Sequence, residues 1–135
     1  NYSAYLIVIY PIDFFKKVND TYGHACGDHV LREISNLMLS KLVRSNDTFA
    51  RYGGEEFVVV LQATPMNTAQ EVAERIRQTI EAHNFTFDNK KILITVSIGV
   101  AAKQPKDDWD SIYQRADRAL YSSKKSGRNK VTFGV

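Results

Sequence analysis

The sequence predicts an α+β domain whose mixed, mostly antiparallel sheet carries flanking helices. Short apolar runs alternate with segments whose apolar residues recur every three or four positions. The Gly53-Gly54 pair joins two strand-like runs as a tight hairpin. None of the 135 residues form a repeat, a low-complexity tract or a linker, so the chain reads as one domain, 1–135, long enough for a hydrophobic core.

The elements follow in order. Residues 5–10, Tyr-Leu-Ile-Val-Ile-Tyr, read as a buried strand. Residues 13–19 predict a short helix and 20–27 a loop. Asp28 is placed to cap a helix reaching about residue 43, because Val30, Leu31, Ile34, Leu37, Met38 and Leu42 follow a helical period. The hairpin arms are 49–52 and 57–61. Thr68-Ala69-Gln70-Glu71 is a capping-box sequence opening a helix that buries Val72, Ile76 and Ile80. Residues 92–101 predict a long central strand. A second capped helix, 108–124, buries Ile112, Ala116 and Leu120, and 131–133 form an extra C-terminal edge strand. The resulting βαββαβ core is ferredoxin-like, with helices on one face of the sheet.

Composition narrows the function. Hydrophobic content of 44% and charged content of 24% are those of an ordinary globular domain. A net charge of +3 with interspersed signs argues against a nucleic-acid surface and suits a small anionic ligand. The one cysteine, Cys26, excludes an internal disulfide and fits a reducing, cytoplasmic setting. Between Ala25 and Gly27 it reads as a packed residue rather than a nucleophile. No apolar run approaches membrane-spanning length and no leader is visible, so no membrane contact by this domain is expected. The early first strand predicts a domain cut from a longer protein.

Chemistry concentrates at the hairpin. Glu55 and Glu56 follow the glycines directly. Adjacent carboxylates at a glycine tip repel each other, so a divalent cation is the first candidate partner. A solvated acidic turn is the equally simple alternative.

Several motifs in one order then point to a family: Ile12-Asp13-Phe14-Phe15-Lys16-Lys17-Val18-Asn19-Asp20, Tyr22-Gly23-His24, Gly27-Asp28, Arg51-Tyr52-Gly53-Gly54-Glu55-Glu56-Phe57, Ala73-Glu74-Arg75-Ile76-Arg77, Val96-Ser97-Ile98-Gly99-Val100, and Ala116-Asp117 through Tyr121 to Gly127-Arg128-Asn129. Over essentially its whole length the chain resembles a GGDEF domain, the catalytic domain of bacterial diguanylate cyclases, in the GGEEF form of the signature. The resemblance implies a palm-type core that condenses two GTP into cyclic di-GMP and releases pyrophosphate. It implies Mg²⁺ or Mn²⁺ as cofactor. It also implies a homodimer when active, since each domain holds one GTP and the product is two-fold symmetric. Such a domain forms the C-terminal part of a soluble or membrane-anchored signalling protein.

Residue by residue, the resemblance makes Glu55 a metal ligand together with the Ile12 backbone carbonyl, and Glu56 the neighbouring catalytic acid. Asn19 and Asp28 match guanine readers, and Lys16, Lys124 and Arg128 match phosphate contacts. Phe14, Phe15, Gly53 and Gly54 complete the substrate-binding set. Arg44 and Asp47 match an Arg-x-x-Asp product-inhibition site, with Arg75 as a second contact. Locally, Arg44 and Asp47 also suit a helix-ending Arg and a turn Asp.

One departure bears on activity. The family pattern is Asp-Ile-Asp-x-Phe, and this chain has Tyr10-Pro11-Ile12-Asp13. Proline offers no side-chain ligand and no backbone N–H. In extended chain, Asp13 would lie about 7 Å further along the strand, too far to replace an acid at 11 without rearrangement. The expectation is a weakened metal site with reduced turnover, or a silent module that binds GTP or cyclic di-GMP and regulates attached domains.

Overall fold

A computed structural model describes residues 2–53 and 56–134. In chain order these form β1 (Tyr2–Tyr10), α1 (Phe15–Tyr22), α2 (His24–Leu37), β2 (Thr48–Tyr52), β3 (Glu56–Pro65), α3 (Met66–Ala82), β4 (Phe85–Phe87), β5 (Lys90–Ile92), β6 (Ser97–Ala102), α4 (Trp109–Lys125) and β7 (Val131–Phe133). A π-helical turn, Met38–Leu42, extends α2.

Strand β1 is the axis. It pairs antiparallel with β3 and with β6. Strand β2 closes the hairpin against β3, and β7 runs parallel to β6, giving the sheet order β2-β3-β1-β6-β7. The expected mixed, mostly antiparallel sheet and C-terminal edge strand are present.

Because side chains alternate along a strand, the unbroken apolar run of β1 feeds two cores. Tyr5, Ile7 and Ile9 join Phe57, Val59, Leu61, Ile98 and Val100 under α2 and α3, where Val30, Ile34, Val72, Ile76 and Ile80 pack. Leu6 and Val8 face the other way, with Val58 and Ala101, against Ile112, Ala116 and Leu120 of α4. Helices therefore cover both faces, not one.

Several boundaries differ from expectation. Residues 20–27 are mostly helical, because only Gly23, at φ 93, interrupts α1 and α2. Asp28 consequently lies inside α2 and caps nothing. Helix α3 begins at Met66, directly after Pro65 ends β3, so Thr68 is helical rather than a cap. The expected strand 92–101 is split: Ile92 ends β5, which pairs with β4 in a separate two-stranded sheet, and β6 begins at Ser97. For α4 the reading holds, with Asp108 and Ser111 forming a reciprocal capping box. Among the described residues no helix is long and apolar enough to cross a membrane.

Candidate functional site

A cleft of about 360 Å³ opens where β1 ends, lined by Tyr10, Pro11, Ile12, Phe15, Asn19, His24, Asp28, Leu31 and Arg51. Its volume falls in the range of small-molecule pockets. Phe15 and Asn19 come from α1 and His24, Asp28 and Leu31 from α2, so the sharp turn at Gly23 is what folds the two helices around it. Asn19 and Asp28, nine residues apart in sequence, meet here as the motif reading requires. Asp28 is exposed and free of capping duty, so its carboxylate is available to a ligand.

Gly27 makes room for Asn19. A Cβ at position 27 would lie 2.2 Å from Asn19 Oδ1 and 3.1 Å from Phe15 Cε1. That Asn19 oxygen is buried without a hydrogen-bond partner among the described residues, an expensive state that suits a polar site.

A second pocket adjoins the first through shared Tyr10 and Phe15. It adds Phe14, Lys16, Lys17, Asp20 and Arg128. Lys124 Nζ stands 3.8 Å from the centre of the Tyr10 ring, and the Arg128 guanidinium 4.6 Å from the centre of the Phe14 ring. Of the proposed phosphate cations, Lys16 and Arg128 thus line this pocket, and Lys124 stands over the Tyr10 ring at its edge. Phe14 itself sits in the left-handed region at φ 58, capping α1 with no side-chain hydrogen bond. Such strain in a non-glycine residue is characteristic of ligand-facing turns. The N–H groups of the first turn of α1 have no acceptors within the helix. The Asp13 N–H is not among them, being spent on the Thr95 carbonyl at 2.9 Å.

The acids are arranged differently. Pro11 is buried in the cleft wall beside Ile12, which is 1% exposed. Asp13 points away from the cleft. Its carboxylate, on a side chain 1% exposed, accepts from Thr95 Oγ1 at 2.7 Å, Ser97 Oγ at 2.6 Å and the Asn129 N–H at 3.0 Å. An acid so saturated is a structural acceptor and cannot stand in for the acid missing at 11. Glu56 is likewise not in the cleft: its carboxylate accepts from the Tyr113 hydroxyl on α4. Burial and that carboxylate together raise the Tyr113 pKa well above the ordinary phenol value. Gly54 and Glu55, central to the sequence reading, lie outside the described residues.

Tested against a hard divalent cation, the described residues do not fit. Pro11 has no side-chain donor atom, Asp13 is consumed, Glu56 is engaged elsewhere, and no cluster of three or more His, Cys, Asp or Glu is placed to hold a metal among the described residues. Burial raises the pKa of Cys26, as suits an inert packed thiol.

Arg44 and Asp47 meet in a bidentate pair: Nε lies 2.9 Å from Oδ2 and Nη2 lies 2.9 Å from Oδ1. The Asp47 side chain is fully buried and that of Arg44 is 38% exposed. Arg44 also donates to Thr64 Oγ1 at 3.0 Å. Arg75 is exposed on α3 and makes no hydrogen bond or ion pair with either residue among the described ones. His24, Arg51 and Tyr10 line the cleft without having been assigned a role from the sequence. The signal for His24 and Arg51 was present in the Tyr22-Gly23-His24 and Arg51-Tyr52 motifs, and Tyr10 stood beside Pro11 at the end of the first strand. Tyr113 carried none, standing as one more aromatic on an amphipathic helix.

Comparison with known proteins identifies the family. The family model described as "Diguanylate cyclase, GGDEF domain" matches residues 1–130. The chain belongs to the GGDEF domain family. Diguanylate cyclase A of Treponema denticola is 51% identical over 127 residues, covering 93% of this chain and 34% of that protein. The chain therefore spans about a third of that relative, and less of two others it matches. The GGDEF domain of DgcB from Caulobacter crescentus, solved in complex with c-di-GMP, superposes with a TM-score of 0.90 at 36% identity, over 98% of this chain and 78% of that one. The active GGEEF domain of a diguanylate cyclase from Vibrio cholerae gives 0.86 at 38% identity, over 98% and 83%.

Proposed function

We propose that this domain takes GTP in the cleft beside Pro11, as a diguanylate-cyclase-type module of a longer signalling protein, and that Pro11 reduces its conversion to cyclic di-GMP. The observation that carries the reading is one cleft lined both by Asn19 and Asp28, the residues matched to base readers, and by Pro11, around which the described residues place no carboxylate. A carboxylate at Asp28 suits guanine N1 and N2 donors, which adenine does not offer. Lys16, Lys124 and Arg128 supply cationic contacts for the triphosphate beyond Tyr10. Similarity to Diguanylate cyclase A and to a GGDEF domain in complex with c-di-GMP supports both substrate and product. A homodimer would bring two such clefts together for a two-fold symmetric product. Mg²⁺ or Mn²⁺ enters this reading as the ion that an acid at 11 would recruit.

A second reading is a silent module that binds GTP or cyclic di-GMP and regulates attached domains. The saturated state of Asp13 favours it, because this acid, two residues from Pro11, is not available to replace the missing one. The test is GTP turnover with Mg²⁺ or Mn²⁺ in domains fused to a dimerising coiled coil, wild type against Pro11→Asp. Restoring a metal ligand is worth several kcal/mol, so Pro11→Asp should form cyclic di-GMP about a hundredfold faster. Equal, robust production by both would remove the claim that Pro11 damages the site. GTP binding by calorimetry with turnover in neither protein would select the silent module.

A further inference from the structure

Arg128 stands on an improbable piece of backbone. Gly127, Arg128 and Asn129 follow α4 with φ of 116, 64 and 49. Two consecutive non-glycine residues in the left-handed region persist only where the surroundings hold them. The holding contacts come from two directions. From below, Asp13 Oδ2 accepts the Asn129 N–H at 3.0 Å, and Asp13 Oδ1 lies 3.9 Å from Arg128 Nη1. From the side, Arg77 Nη1 donates to Asn129 Oδ1 at 2.9 Å, and Asn129 Nδ2 donates to Glu81 Oε2 at 2.7 Å. Asp13 is itself fixed by the hydroxyls of Thr95 and Ser97. Arg77 is fixed by a two-pronged bond to Glu74, at 2.6 and 2.9 Å.

We propose that Asp13 is a positioning residue for the phosphate end of the nucleotide site, its buried carboxylate pinning the Arg128–Asn129 turn so that the guanidinium stands beside Phe14 over the pocket. This inference rests on the guanine-nucleotide reading above. Asp13 precedes Phe14, whose ring lies against the Arg128 guanidinium, so one residue joins both sides of that pocket. Loss of the carboxylate frees the turn to leave the left-handed region. It also removes the nearby negative charge from Arg128. The base-reading residues Asn19 and Asp28 lie on α1 and α2 and make no contact with Asp13 among the described hydrogen bonds.

The test is the affinity of wild type, Asp13→Asn and Arg77→Gln for GMP, GDP and GTP by calorimetry, with folding checked by circular dichroism. A residue that positions phosphate cations produces a loss that grows with phosphate number. Asp13→Asn should weaken GTP roughly tenfold while GMP changes by less than about twofold, the scale of one charge-assisted contact. Arg77→Gln leaves the Asp13 carboxylate intact and should show the same gradient more weakly. It decides the matter if Asp13→Asn fails to fold. A uniform loss across the three nucleotides, or no loss in a folded variant, would overturn the inference and leave the nucleotide reading standing. Binding of none of the three by wild type would remove both.

Discussion

Tyr113 on α4 donates its hydroxyl to Oε1 of Glu56, the first residue of β3. The contact follows from strand alternation. Phe57, Val59 and Leu61 point into the core under α2 and α3, so Glu56, Val58 and Val60 point toward α4. The signature acid is therefore held by a phenol against an aromatic group formed by Tyr52, Trp109 and Tyr113, with ring centres 5.0 to 6.0 Å apart. Tyr113→Phe should cost about 1 kcal/mol in urea denaturation at neutral pH, the usual value of such a bond. It should also change the alkaline limb. A phenol whose folded pKa is raised contributes stability that is complete below the ordinary value of 10.0 and lost as pH rises through its folded pKa. Wild type should lose stability above pH 10 more steeply than Tyr113→Phe. Parallel curves would place the phenol shift elsewhere.

Gly27→Ala separates binding from folding. The added methyl would meet Asn19 Oδ1 at 2.2 Å, so the amide must leave its place beside the cleft. Gly27 lies within α2 at a helical position, where alanine is intrinsically favoured by about 1 kcal/mol. The clash falls on the end of a side chain, which can move. The variant should keep its melting temperature within a few degrees yet bind GTP about tenfold more weakly and distinguish it less from ATP. Unchanged preference for GTP over ATP would remove Asn19 from base recognition.

These two residues show what sequence alone conveys here. Periodicity placed Val30, Ile34, Val72, Ile76, Ile112 and Leu120 in the core, because one apolar face per helix leaves a local signature. The division of β1 between two faces was hidden, since a strand buried on both sides has no polar alternation to read. Asp28 looked like a cap because capping and ligand-reading use the same side chain. Only the turn at Gly23 revealed that α2 starts four residues earlier. The motif reading paired Asn19 with Asp28, and both line one cleft. The fate of Asp13 was not legible, because its partners Thr95, Ser97 and Asn129 are distant in sequence.

Arg44→Ala tests the inhibitory site. Removing the guanidinium strips a fully buried Asp47 carboxylate of its two-pronged partner and Thr64 of a donor. Unfolding should become easier by about 1–3 kcal/mol, the cost of leaving a buried acceptor unpaired. If Arg44 also reads cyclic di-GMP, calorimetry should show that ligand's affinity falling by tenfold or more while GTP binding is retained. Unchanged cyclic di-GMP affinity would leave Arg44 a structural partner of Asp47 alone.

Gly99 sets the distance between sheet and helix. It sits in the centre of β6, opposite Val8 of β1 and Thr132 of β7. A Cβ there would lie 2.2 Å from the Ala116 carbonyl oxygen and 2.3 Å from the Leu120 nitrogen, both backbone atoms of α4. Unlike the clash at Gly27, this one cannot be relieved by turning a side chain. The helix must lift from the sheet, opening the packing of Ile112, Ala116 and Leu120 against Leu6 and Val8. Gly99→Ala should therefore cost about 3 kcal/mol or more, the range of overpacked cores. Lifting α4 also carries Lys124 away from the Tyr10 ring and Tyr113 away from Glu56. The variant should thus lose nucleotide affinity in the fraction that remains folded, whereas a purely local defect would lower the urea midpoint and leave that affinity intact.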